Sequence, residues 1–225
     1  MISKCIGECL FLLRDVSRSE LNPMEPIAPA KTTEVNLAAY SPASFDRGAG
    51  SLREFLWVLV SLVLFRLCPL KLSALKCAVL RLFGARVGRG VVIKPNVKIT
   101  FPWKLTLGNQ VWLGEECWLL NLAPIVVEDN VCISQRAFLC TGSHDYKSPT
   151  FDLITKLIRV ECGAWIGASA FVGPGVTVGT HAVLTAGSVA TKDLESLGIF
   201  QGNPAIPTKK RVISPPTHAT SKKLV

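Results

Sequence analysis

Aliphatic side chains recur every six residues through the middle of this chain. They stand at Val87, Ile93 and Ile99, then Leu107, Leu113 and Leu119, then Val127, Ile133 and Leu139, and finally Val160, Ile166, Val172, Val178 and Leu184. An α-helix would repeat its apolar positions about every 3.6 residues and a half-buried strand every second one, so a sustained step of six fits neither. Short parallel strands stacked coil on coil do fit. Three hexads make one turn of a triangular β-helix, each anchor points inward above its counterpart one coil earlier, and no coil buries its core alone. The phase slips by two residues after the third and sixth hexads, so GRGV, GNQV and EDNV open successive coils 20 residues apart. Four residues after each anchor stands a small or β-branched residue suited to a tight corner, from Val91 through Ser143 to Ser188, with Trp103 the exception.

The flanks read differently. Residues 1–43, with Pro23, Pro26, Pro29 and Pro42 among polar and small residues, have the composition of a weakly ordered leader. Residues 44–86 carry a helical pattern divided by Pro69 and are expected to cap the first coil. Within them Phe55 to Phe65 (FLWVLVSLVLF) is apolar throughout but only eleven residues long. A membrane-crossing helix needs about 20, so this segment is either packed on the array or laid along a membrane surface. The array proper runs over 87–192, with an insertion at 145–159, and 193–225 forms a C-terminal cap and tail.

Composition narrows the partners. The net charge of +9 favours an anionic partner. Its basic residues are spread along the sequence, with small clusters only near the C-terminus and no basic stripe interleaved with aromatics, which argues against nucleic acid. Four of the eight cysteines, Cys117, Cys132, Cys140 and Cys162, fall inside the hexads without metal-like spacing and read as small reduced thiols. With no cleavable signal pattern at the N-terminus, a cytoplasmic location is expected.

Several blocks carry a resemblance: LRLFGARVGRGVVIKPNVKITFPWKLTLG (80–108), LCTGSHDY (139–146), WIGASAFVGPGVTVG (165–179), AGSVATKDL (186–194) and GNPA (202–205). The array resembles the hexapeptide-repeat acyltransferases, and these blocks resemble the colanic acid biosynthesis acetyltransferase type. The resemblance implies a left-handed parallel β-helix, a homotrimer with active sites between subunits, acetyl-CoA as donor and a sugar or glycolipid hydroxyl as acceptor.

It also implies roles. His144, at the root of the insertion, is the expected general base, since histidine titrates near neutral pH. Its second ring nitrogen needs a partner, for which a backbone carbonyl or a carboxylate, Asp145 or Asp129, would serve. A backbone N–H near Ala168 is expected to hold the oxyanion. Trp165, Ala168, Ala186, Gly187, Thr191 and Lys192 match cofactor-contact positions, and Lys192 with Lys209, Lys210 and Arg211 is suited to the phosphates, the last three reading equally as an exposed basic tail. Ile206 replaces a basic residue of the family. Asn121 occupies a corner where relatives contact the acceptor, a place turn chemistry alone also explains, and Tyr146 is placed to stack on a sugar.

Two rivals share the scaffold. A zinc hydratase needs three converging histidines, and this chain has only His144, His181 and the tail residue His218, so no metal is expected. A non-catalytic scaffold of a polysaccharide-assembling complex would need neither His144 nor the WIGASA block.

Overall fold

A computed structural model describes residues 34–41, 45–67 and 72–214. Residues 1–33, 42–44, 68–71 and 215–225 lie outside the described residues, with the leader, Pro69 and tail expectations that fall on them. Residues from Asn36 onward belong to one compact unit.

The hexads fold as a left-handed parallel β-helix of five full coils and a partial sixth. Each coil contributes one short strand to each of three parallel sheets. Strands β1 (Arg86–Val87), β4 (Leu105–Leu107), β7 (Ile125–Val127), β12 (Ile158–Val160) and β15 (Thr177–Val178) build the first face. The second is β2 (Val92–Ile93), β5 (Trp112–Leu113), β8 (Cys132–Ile133), β13 (Trp165–Ile166), β16 (Val183–Leu184) and β18 (Gly198–Gln201). The third is β3 (Lys98–Ile99), β6 (Trp118–Leu120), β9 (Phe138–Cys140), β14 (Phe171–Val172) and β17 (Val189–Ala190).

The register follows the sequence period. Val87 pairs with Leu107 and Leu107 with Val127, the expected 20-residue step. Beyond the insertion Val160 pairs with Val178, so the later coils have three hexads and no extra residues. Every hexad anchor is buried except Val87, which is half-buried at the end of the rod. The corners carry the expected small residues inward, Val111, Cys117, Ala137, Ala170 and Ala182 among them.

The cap at the first coil comprises α1 (Ser51–Ser61), a π-helical continuation over Leu62–Leu67, and α2 (Ser73–Leu82). Trp57 is the peg that seats α1: it is buried, its rings lie 5.5 Å from Phe65 and 5.3 Å from Phe83, and Nε1–H donates to the Ile99 carbonyl at 3.0 Å. At the other end Leu194 bridges to Val178, and β18 turns back as β19 (Ile206–Lys210) in an antiparallel hairpin that closes the core over Phe200.

Candidate active site

The rod is regular except at one corner. After β9 the chain leaves the coil at Thr141 and returns at Ile158, earlier at both ends than the expected 145–159. The departing residues form an antiparallel ribbon, β10 (Gly142–His144) against β11 (Leu153–Thr155). Ser143, counted among the corners, is therefore exposed on the ribbon. The root is pinned by Lys156 N–H donating to the Thr141 carbonyl at 2.9 Å. The buried Thr141 hydroxyl adds a bond to the Leu120 carbonyl and accepts the Ala123 N–H.

The tip of the insertion is a small polar network. Ser148 and Thr150 hydroxyls each donate to the Asp152 carboxylate at 2.8 Å, and these donors, Thr150 foremost, hold the Asp152 pKa below its ordinary value. Asp145 N–H donates to the Asp152 carbonyl, and the Asp145 carboxylate accepts the Lys147 N–H at 3.0 Å. Within this frame Phe151 takes a φ of 51°, a costly region for a bulky residue.

The Phe151 carbonyl lies 2.6 Å from His144 Nδ1. A carbonyl oxygen can only accept, so Nδ1 carries the proton, and in the neutral ring Nε2 holds the free lone pair. The ring partner is thus a backbone carbonyl. Neither aspartate expected for that role supplies it: Asp145 caps the Lys147 amide, and Asp129 is held by the Asn109 backbone and side-chain amides, which depress its pKa. The Tyr40 ring stands edge-on to the His144 ring, 6.4 Å between centroids, and Asn36 N–H donates to the Pro149 carbonyl at 2.8 Å. Part of the expected weakly ordered leader therefore lies against the insertion. Phe151 and Tyr40 escaped the sequence reading because neither contact depends on a recognisable residue pair.

Other expected site residues fall in three places. Trp165, half-exposed on the second face, donates Nε1–H to the Ser134 hydroxyl at 2.9 Å. Ala168, Ala186 and Gly187 share the corner between the second and third faces in successive coils. Gly167 must be glycine for that stacking, since a Cβ there would lie 2.5 Å from the Ala186 nitrogen. Gly187 has a φ of 70° and open space around its Cα, so its demand is conformational rather than a close approach within this chain. The Ala168 carbonyl accepts the Gly187 N–H at 2.9 Å, and Ala168 also lines a shallow cavity of about 390 Å³ with Gln135 and Arg136.

Thr191 and Lys192 occupy the next corner and line a cavity of about 340 Å³ with Phe200, Ala205 and Ile206. Lys209 lines a separate hollow beside Glu195 and Thr208. Lys210 pairs with Glu195 at 3.5 Å, and Arg211 donates to the Gly163 and His181 carbonyls, so these two serve the C-terminal closure. Tyr146 is exposed at the tip of the insertion.

Asn121 does not line the site. It is completely buried, its Oδ1 accepts the Thr100 and Phe101 N–H groups, and its Nδ2 donates to the Phe101 carbonyl. Its corner position suggested either acceptor contact or an exposed turn residue; the side chain instead points inward and bonds the backbone of the preceding coil, leaving no surface for an acceptor. Among the described residues no group of His, Cys, Asp or Glu side chains is arranged to hold a metal ion.

Within one chain, then, His144 and the Ala168–Ala186 corner lie at opposite edges of the third face. That face carries an outward aromatic ladder, Trp118 stacked on Phe138 at 4.6 Å and Phe138 edge-on to Phe171 at 5.4 Å. The second face adds exposed Trp112 and Trp165.

The β-helix of hexads is the fold of the hexapeptide-repeat acetyltransferases. WcaF of Escherichia coli, described as a colanic acid biosynthesis acetyltransferase, is 39% identical over 177 residues, spanning 79% of this chain and 97% of its own. The chain belongs to this family of acetyltransferases. Among solved structures, a hexapeptide-repeat acetyltransferase from Vibrio cholerae complexed with acetyl coenzyme A shares the fold with a TM-score of 0.65 at 22% identity, covering 77% of this chain and 93% of that one. A galactoside acetyltransferase in complex with coenzyme A superposes with a TM-score of 0.55 at 21% identity, over 59% of this chain and 68% of the other. No family model matches the chain.

Proposed function

We propose that this protein transfers acetyl from acetyl-CoA to a sugar hydroxyl during exopolysaccharide assembly in the cytoplasm, with His144 as general base. The observation that carries the reading is the 2.6 Å bond from His144 Nδ1–H to the Phe151 carbonyl, which leaves Nε2 as the basic nitrogen. The acceptor O–H gives its proton to Nε2 as the oxygen attacks the thioester carbonyl carbon. A backbone N–H at the Ala168 corner holds the resulting oxyanion. Collapse breaks the C–S bond, and the CoA thiolate leaves with the proton returned from the imidazolium. Trp165, Ala186 and Gly187, and Thr191 and Lys192 at the following corner, line the path of the CoA arm; Lys192 and Lys209 answer its phosphates, and Tyr146 borders the acceptor.

The reading needs more than one copy of the chain, and a homotrimer supplies it. His144 and the Ala168 corner are separated by the width of the third face, so a site using both is completed by the His144 of one protomer and the corner of another. The aromatic ladders on the second and third faces supply apolar surface for that packing. A closed ring of identical, heterologous contacts meets the requirement.

The test is thiol release from acetyl-CoA by the purified protein over a panel of sugars, nucleotide sugars and lipid-linked sugars. His144→Ala should lower turnover about 10²- to 10⁴-fold. Coexpressed His144→Ala and Ala186→Trp protomers should regain about a quarter of the wild-type rate, because one interface in four then carries both intact halves. An unaffected His144→Ala enzyme would remove the base; failure of the mixture to regain activity would remove the shared site. CoA that does not bind at all would leave the scaffold reading.

A further inference from the structure

Helix α1 is apolar on both sides. Trp57 and Phe65, with the partly buried Val60 and Leu64, face the core. On the opposite side Leu52, Phe55, Leu56, Leu59, Leu62 and Val63 follow one another at three- and four-residue spacing, continuing into the π-helical turn, and every one is exposed: Leu52 by 72%, Phe55 by 59% and Val63 by 62%. Leu72, at the N-cap of α2, and Leu75 and Leu82 within it are further exposed apolar residues of the cap. A helix apolar all round belongs between two apolar surroundings, and soluble monomers rarely present so continuous a patch to water.

The charge around this face is one-sided. From Phe55 to Lys104 the chain has nine Lys or Arg and no Asp or Glu, which equals the +9 net charge of the whole protein. The basic residues look evenly spread along the sequence; the acidic ones are what this stretch lacks. Helix α2 packs on β1 and β2, so the cap and the first coil form one end of the rod. Arg81, Arg86, Arg89, Lys94 and Lys98 are exposed at that same end. The acids at the start of the cap are Asp46 and Glu54, the latter on α1 and paired with Arg47 at 2.7 Å, so a second copy docking cap to cap would still bring together two ends with an excess of positive charge, an arrangement that like charge disfavours. An anionic lipid surface offers both the apolar depth and the opposite charge. No helix among the described residues is long and apolar enough to cross a membrane, which leaves contact in the interface plane.

We propose that the capped end of the rod docks on anionic membrane lipid, with Leu52, Phe55, Leu56, Leu59, Leu62 and Val63 entering the headgroup boundary and Arg86, Arg89, Lys94 and Lys98 meeting lipid phosphates. Coils are spaced by about 4.8 Å and a helix is about 10 Å across, so the insertion that bears His144, which leaves after the third coil, stands roughly 20 Å from the docked face of α1. That distance suits a sugar carried on a lipid, and this last step alone rests on the transfer reading above.

The docking is tested by sedimenting the full chain with vesicles of equal parts phosphatidylglycerol and phosphatidylcholine, and with pure phosphatidylcholine. Binding should be at least about tenfold tighter to the anionic vesicles and weaken with salt. The triple variant Leu52→Gln, Phe55→Gln, Leu59→Gln should lose more than about tenfold of it while keeping its thermal midpoint, because all three side chains are exposed. The pair Lys94→Gln, Lys98→Gln should bind more weakly and with less salt sensitivity. Three results would overturn the proposal: no binding to either vesicle, a triple variant that binds as well as wild type, or a larger oligomer that the triple variant dissolves with no lipid bound, which would assign the face to another copy. Turnover on soluble acceptors is read separately, so loss of docking and loss of the transfer chemistry are distinguishable.

Discussion

Asn121 offers the sharpest separation between a residue that serves the fold and one that serves the substrate. Asn121→Ala removes three bonds to the preceding coil, but they are not equal. Phe101 N–H has no acceptor besides Asn121 and is orphaned in the interior, whereas Thr100 N–H keeps the Leu119 carbonyl at 3.2 Å and the Phe101 carbonyl keeps the Lys104 N–H at 2.9 Å. One buried orphan costs about 1–3 kcal/mol and each weakened bond about 0.5–1 kcal/mol, and the vacated amide leaves a small void. The expected loss is therefore about 3 kcal/mol, or roughly 6–12 °C in thermal midpoint for a chain of this size. Calorimetry or thermal unfolding followed by circular dichroism measures it, beside acetyl-transfer kinetics well below the variant's midpoint. The acceptor KM should stay within about twofold of wild type. A variant of unchanged stability whose acceptor KM rises tenfold would refute the reasoning and return Asn121 to the acceptor site.

Three further outcomes are expected. Tyr40→Ala removes the ring standing edge-on to His144 and should lower kcat/KM about three- to tenfold, a cost of about 0.5–1.5 kcal/mol, without lowering the thermal midpoint by more than about 2 °C; equal kinetics would show the contact to be idle. Burial pushes the Cys117 thiol up to about 12 from an ordinary 9.0, so it stays protonated and should resist alkylation at pH 8.5 in the folded protein, as peptide mapping after iodoacetamide would show. Because that pKa is raised on folding, the stability it contributes is complete below pH 9 and declines as pH rises towards 12. Asp152 has the opposite sign: its hydroxyl donors hold it below 3.8, so the order it lends the insertion is present above that pH and lost as pH falls through its folded value, which hydrogen exchange of residues 145–153 should report as a loosening that Asp152→Asn reproduces at neutral pH.

The architecture was legible because one physical demand, an inward anchor every six residues, wrote itself into residue types. Ile93, Leu113, Ile133, Ile166 and Leu184 stack in one column of the core as their spacing required. The site was legible only where residue type and chemistry coincide. His144, whose catalytic role is part of the proposal, stood out through its place at the root of the broken repeat and the resemblance of TGSHDY to a family block. Its partner did not, because the Phe151 carbonyl is a backbone group brought near by ribbon pairing and a left-handed turn, neither of which Phe151 announces. Asn121 was missed for the same reason: both readings of its corner had it exposed, whereas its amide turns inward to the backbone of the coil beneath, which its own residue type does not announce. The cap was half legible. FLWVLVSLVLF has no polar face, which already requires that one apolar side remain for some partner beyond the coils.

A closed β-helix also has a limitation that its interruption addresses. Each coil repeats the one below, so the outward surface is a set of straight ladders, such as Trp118, Phe138 and Phe171 or Trp112, Cys132 and Trp165, and a set of straight ladders has little concavity. Small substrates need concave sites that exclude water. On the proposed reading that need is met from two directions: with the ribbon lifting His144 off one edge of the third face and the glycine-permitted corner at Ala168, Ala186 and Gly187 at the other edge, rods packed ladder to ladder would enclose a groove that none possesses alone. On this argument the apolar ladders, the ribbon and the corner are one device. A variant that keeps His144 and the corner intact but breaks the ladder, such as Phe138→Lys, should lose oligomeric state and turnover together, with its coils still folded.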